Sequence, residues 1–234
     1  MLYKVADIVF SMTPDKITEV RGAKYRYTGS ESPLFSVSPK TIDEYNMLDN
    51  KKGRTFEQYQ YTTCGNSFQH QMYFYNSISL HSSAVAVDDK AYLFSASSGT
   101  GKSTHTTNWL KLFGDRAYIL NDDKPTIRIK NGEVFAYGTP WSGKHDLSVN
   151  KGVKLQGIAF LSRDKYNWIK PMDDFNSFIR LYSGILKRLS PEEADVVMAT
   201  LKDIIKKVQI WELGCLPDIE SARVAFDAMS KANK

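Results

Sequence analysis

Cysteine is scarce and widely separated. Cys64 and Cys215 form no C-x-x-C pair, which excludes a disulfide scaffold, a zinc ribbon and a dithiol redox motif. Long apolar runs are missing too. Nothing approaches the roughly 20 residues of a membrane-spanning helix. The start, Met1-Leu2-Tyr3-Lys4-Val5-Ala6-Asp7, lacks the basic head and long apolar stretch of a signal peptide, so a cytoplasmic location without a membrane partner is expected. No internal repeat and no low-complexity linker interrupts the chain. Lys and Arg outnumber Asp and Glu by 31 to 26, but they are scattered rather than clustered with aromatics. The surplus suits anionic substrates and gives no indication of nucleic acid as a partner.

What is present describes a globular protein: 234 residues, 42% hydrophobic and 12% aromatic, enough for one large domain with a sizeable core. The stretch that organises it is Ser95-Ala96-Ser97-Ser98-Gly99-Thr100-Gly101-Lys102-Ser103-Thr104. It follows a strand-like run, Ala91 to Phe94, and precedes a helix-like run over 103–113 that Gly114 terminates. A loop of small residues lets consecutive backbone N–H groups converge on phosphate oxygens, and the helix behind it presents its positive end to the same anion. Ala96 stands where the first glycine of the G-x-x-x-x-G-K-[ST] pattern is expected. Read this way, Lys102 reaches the outer phosphates and Ser103 holds a magnesium ion, with Ser98, Gly99, Thr100, Gly101 and Thr104 completing the cradle; the plain alternative is a turn that only caps a helix.

Around the loop, His81 to Val87 reads as a strand, Asp88-Asp89-Lys90 as a tight turn, and the pair as an antiparallel hairpin feeding the loop. Such pairing sets His81 level with the start of the loop, where a histidine binds metal, touches a transferred phosphate or simply ends a strand. Ala117 to Leu120 then forms an apolar strand that runs into Asn121-Asp122-Asp123. Successive strand residues face opposite ways, so the two carboxylates divide their work if both act, one holding metal and the other taking a proton from an attacking hydroxyl.

His81-Ser82-Ser83-Ala84, Ser97 to Thr104 and Asp122-Asp123 resemble, in order and spacing, the motifs of the superfamily joining the HPr serine kinase/phosphorylase catalytic domain to ATP-dependent phosphoenolpyruvate carboxykinase. The similarity covers about residues 78 to 162. It implies a mixed β-sheet P-loop core that uses ATP with magnesium, or manganese in its place, for phosphoryl transfer. By position it implies Lys102 and the loop backbone on the phosphates, Ser103 and Asp123 on metal, Asp122 as general base, and His81 as an active-site metal ligand. Eighty residues precede His81 in this sequence, against the large N-terminal domain of a carboxykinase, so oxaloacetate decarboxylation is not expected. The downstream sequence with which HPr kinases recognise their protein and assemble is not evident, so HPr itself is not implied.

The expected fold class is therefore α/β, in three segments: a β-rich N-terminal packing segment over 1–76, a kinase core over 77–170, and a helical segment over 171–234 completing the same domain. In the first, Leu2 to Phe10, Lys24 to Tyr27, Pro33 to Val37 and Phe56 to Tyr61 read as strands, and 66–75 as helix or strand. In the core, Pro125 to Lys130 and Glu133 to Tyr137 flank an Asn131-Gly132 hairpin turn, and Gly157 to Leu161 is a buried strand. Between them Gly138 to His145 forms a loop in which Trp141 and Lys144 are candidates to cover nucleotide or acceptor, Trp141 being equally a core plug. In the third, apolar residues from Met172 through Leu186 to Leu189 recur at helical spacing, Ser190-Pro191-Glu192-Glu193 opens a second helix, 208–213 returns as a strand, and Asp218 opens a final helix. The expected activity is ATP-dependent phosphorylation of a hydroxyl, on a serine of a peptide or protein or on a small metabolite; a nucleotide sensor without catalysis is the alternative of another class. Oligomeric state is left open.

Overall fold

The computed structural model describes residues 1–51, 53–185 and 188–232. The chain opens with β1 (Leu2–Val5) and β2 (Ile8–Met12), followed by α1 (Lys16–Arg21), β3 (Ser36–Val37), α2 (Ile42–Asn46) and α3 (Phe56–Tyr73). There follow β4 (Ser77–Ser79), β5 (Ser82–Val87), β6 (Lys90–Ser95), α4 (Lys102–Phe113), β7 (Ala117–Asp123), β8 (Thr126–Lys130) and β9 (Glu133–Tyr137). The last elements are β10 (Gly152–Arg163), β11 (Trp168–Pro171), α5 (Asp174–Gly184), α6 (Pro191–Lys207), β12 (Gln209–Cys215) and α7 (Ile219–Met229).

Among the described residues, β1 to β3 form a small sheet, and nine strands form one mixed sheet in the order β4-β8-β9-β10-β6-β5-β7, with β12 beside β10 and β11 beyond it. The long strand β10 is the pivot. Its first residues pair antiparallel with β9, and its remainder pairs parallel with β6 on one side and β12 on the other. Alternation along these strands separates two cores. Ala84, Ala86, Leu93, Ile158 and Phe160 face α5 and α6. Val85, Val87, Tyr92, Phe94, Ala159 and Leu161 face α4 and α7. Both faces are covered, which is why these strands read as continuous apolar runs.

The N-terminal segment is mixed rather than β-rich. The expected strand over 2–10 is a hairpin, because Ala6 and Asp7 adopt φ of 51° and 60° and turn the chain between β1 and β2. Alanine is not a turn residue, so composition hides the turn. Residues 24–27 contribute a short 3-10 turn, Ala23–Tyr25, and one bridge from Arg26 to Tyr3 in place of a strand. The run 56–61 is the first part of α3, not a strand. Thr55 caps it reciprocally with Gln58, the Gln58 N–H donating to Thr55 Oγ1 and the Thr55 N–H to Gln58 Oε1. Tyr59, Cys64, Phe68 and Met72 then recur on its buried face. That same helix settles 66–75 as helical to Tyr73.

The third segment is less helical than its spacing suggests. Helix α5 stops at Gly184, where a β-carbon would stand 2.6 Å from Leu80 Cδ1, and Ile185 turns extended. Leu186 lies outside the described residues. Segment 171–234 also contributes β12 to the main sheet, with β11, absent from the expectation, antiparallel to it. α1, α2 and β4 are absent from the expectation, the strand expected over 33–37 keeps only Ser36–Val37, and that expected over 157–161 extends to Gly152–Arg163. By contrast, β5 to β9, the Asn131-Gly132 turn (φ 52° and 80°) and the capped starts of α6 and α7 fall where the spacing puts them.

Candidate functional site

Three antiparallel strands deliver the site. β5 lies between β6 and β7, with Ser82 opposite both Ser95 and Asp123 and Ser83 opposite Asp122. The residue before β5, the loop after β6 and the end of β7 therefore meet at one sheet edge. Asp88 and Asp89, at φ 48° and 57°, make the turn that sets this register.

The 95–104 loop enters α4 through Gly99 and Gly101, at φ 77° and 124°, conformations that a β-carbon disfavours. Arg163, from the end of β10, braces it, Nη2 donating to Gly99 O (2.7 Å) and Nε to Thr100 O (3.2 Å). Lys102 Nζ folds back to donate to Ala96 O at 2.8 Å. Burial pushes the Lys102 ammonium below its usual range, against the pull of Asp123 and Asp122. Ser103 Oγ donates to the Asp122 carboxylate, 3.1 and 3.2 Å from its two oxygens.

Asp123 solves the facing problem by leaving the strand conformation: its φ is 139°. Asp122 thus turns to Ser103 while Asp123 Oδ1 lies 3.1 Å from His81 Nε2. Burial alone would raise the Asp123 carboxyl, but the hydrogen bond from His81 and the charges of Lys124 and Lys102 hold it below the usual carboxylate range. Asn121 pins the corner, Nδ2 donating to Thr139 O and Oδ1 accepting from Lys124 N, both at 2.9 Å.

These groups line an open cleft of about 780 Å³. His81, Lys102, Ser103, Asp122 and Asp123 share it with Ser98, Gly99, Gly101 and Thr104, whereas Thr100 faces the other side of the loop. Lys144 lies on its rim. The expectation that Trp141 covers the site is corrected: its ring is buried, stacked 4.8 Å from Phe68 and closed over Gly65, because a large aromatic gains more in the N-terminal core than at a polar cleft.

The far wall was not anticipated. Arg21, Arg54, Tyr61 and His145 line it. Arg21 Nη1 donates to Tyr61 OH (3.0 Å), Ser142 O (2.9 Å) and Gly143 O (3.0 Å). The Gly143 N–H in turn donates to Asp122 O. Arg21 thus reaches the backbone of Asp122 through one intervening segment, a link between distant parts of the chain that no local motif announces. Beyond the loop, a more apolar slot of about 420 Å³ lies beside Thr104, walled by Leu161, Cys215, Leu216 and Pro217.

No protein-family model matches the sequence, and no curated protein matches it. Among solved structures, the HPr(Ser) kinase/phosphatase from Coxiella burnetii aligns with 65% of this chain and 97% of its own, at 14% identity and a TM-score of 0.38. Similarity at that level assigns no function.

Proposed function

We propose that the chain is an ATP-dependent phosphotransferase that moves the terminal phosphate to a hydroxyl. The observation that carries this reading is the convergence, on one cleft, of a glycine-bearing helix-start loop, the Ser103–Asp122 hydrogen bond and the His81–Asp123 pair. In this reading the loop N–H groups and Lys102 hold the phosphates at the start of α4, Lys102 exchanging its loop carbonyl for phosphate oxygen. The slot beside Thr104, with its apolar wall, would suit the adenine ring. Ser103 and Asp123 would offer the oxygen ligands that magnesium or manganese takes, with the His81 imidazole better suited to manganese, and among the described residues no three His, Cys, Asp or Glu side chains form a cage of their own. A divalent ion bound there neutralises charge on the phosphates.

Asp122 accepts the proton of the acceptor hydroxyl, whose oxygen bonds to the terminal phosphorus as the bond to the ADP oxygen breaks and ADP leaves with the electron pair. Positioning and charge supply most of the rate. The test is transfer of labelled phosphate from ATP to a pool of peptides and metabolites, followed by mass. Asp122→Asn is expected to lower transfer by about 10²–10⁴, the range for a general base, while ATP affinity holds. Lys102→Ala is expected to lose ATP. Tight ATP binding by the wild type with no labelled product from any pool would sink the enzyme reading.

A further inference from the structure

The substrate class can be narrowed, resting on the reading just given. Asp122 and Asp123 are the only carboxylates lining the cleft among the described residues, and both stand on the loop side. The same cleft is lined by Arg54, Lys144 and His145 with Arg21, which is committed to backbone carbonyls, and the segment carrying Lys144 and His145 abuts Asp122, the Gly143 N–H donating to Asp122 O. No ion pair within 4.0 Å involves Arg54 or Lys144 among the described residues.

Arg54 is the most informative of these. Its backbone is fixed, N donating to Lys51 O (3.0 Å) and its carbonyl accepting from Tyr45 OH (2.6 Å), directly before the cap of α3. Its Nε is nevertheless buried without a hydrogen-bond partner. A buried guanidinium donor left unpaired is costly and is ordinarily satisfied. Lys144 and His145 are exposed on the rim beside it. A neutral acceptor gives Arg54 and Lys144 nothing to pair with, whereas an anionic group supplies a bidentate partner for Arg54 and a counter-charge for Lys144. The cleft volume is that of a small-molecule site.

We propose that the acceptor is a small hydroxyl compound carrying a carboxylate or phosphate near the hydroxyl, and that Arg54 and Lys144, with His145, hold that anionic group in the cleft that Asp122 lines. The anion orients the hydroxyl toward Asp122, which takes its proton as described above.

The loop itself attracts anions, so the test removes it. In Lys102→Ala protein, calorimetric titration compares D-glycerate, sn-glycerol 3-phosphate and uncharged glycerol. Both anions, or the one of the correct class, are expected to bind while glycerol does not, and adding Arg54→Gln with Lys144→Gln is expected to weaken that binding at least about tenfold without altering the circular dichroism spectrum. The tighter of the two identifies carboxylate or phosphate. Anions that bind no better than glycerol, or an affinity the double substitution leaves unchanged, overturn the proposal, as does a peptide with an internal serine that outcompetes both. ATP binding by the wild type is measured separately: its absence removes the proposed function, while anion binding lost with Arg54 and Lys144 still establishes the wall.

Discussion

The two walls of the cleft are built by different means. On the loop side, His81, Lys102, Ser103, Asp122 and Asp123 come from a short span of chain and are set by backbone register across β5, β6 and β7. Hydrophobic cores on both sheet faces hold that register. On the other side, Arg21 and Tyr61 arrive from the N-terminal segment and meet Ser142 and Gly143 through side-chain hydrogen bonds to carbonyls, and Arg54 lines the same cleft. A wall fixed by register moves only when the sheet does. A wall fixed by single side chains can be loosened one bond at a time, and this difference makes the two separable by mutation.

The largest separation is expected from Trp141→Ala. The ring fills the N-terminal core against Phe68, and removing a buried tryptophan costs about 3–5 kcal/mol. A urea titration is expected to show the far wall melting early, with loss of transfer, while ATP affinity, which depends on the loop side, changes little. Equal loss of ATP binding would mean that the walls are one cooperative unit and that the contrast is wrong.

The same contrast explains what the sequence made legible. Strand, loop, helix and carboxylates on the loop side follow one another within a span where periodicity and turn residues apply, so 81–123 could be read residue by residue. The kink at Asp123 could not, since a non-glycine residue at φ 139° has no compositional sign. The opposite wall was opaque because its contacts join residues 40 to 122 positions apart, with no local pattern to link them. Alternating aromatics at Tyr59 and Tyr61 suggested a strand, yet the Thr55–Gln58 box and the packing of Phe68 and Met72 decided for α3. Arg163 was missed for the same reason: only the pairing of β10 beside β6 brings it under the loop.

A more selective probe is Arg21→Ala, which removes three hydrogen bonds and leaves the core intact. A bond from a charged donor contributes about 1.5–3 kcal/mol, part of which water recovers at this half-buried site. Amide exchange at Gly143 is expected to accelerate, and transfer to fall about tenfold, equivalent to about 1.4 kcal/mol of barrier, as the backbone of Asp122 loses its support. Nucleotide affinity is expected to stay within about twofold. Arg21→Lys is expected not to rescue, because the shorter side chain ends one bond short of Nη1, the nitrogen that makes all three contacts, and lacks the planar guanidinium. Unchanged exchange at Gly143 would show that the segment holds itself.

The smallest effect tests how the N-terminal segment docks on the helices behind the sheet. His70 Nδ1 lies 2.6 Å from Glu193 Oε1, joining α3 to α6, and the other Glu193 oxygen accepts from Ser190 N. Burial acts to raise the Glu193 carboxyl, but the Ser190 N–H and His70 more than offset it and hold it below its ordinary value of 4.5. A carboxyl depressed by folding adds stability that is complete above the unfolded value and is lost as pH falls through the folded one. Glu193→Gln is therefore expected to lower stability to urea at pH 7, by at most about 1 kcal/mol for a partly exposed pair, and the gap is expected to narrow as pH falls below 4.5. A gap that persists unchanged below that pH would assign the effect to the α6 cap and not to charge.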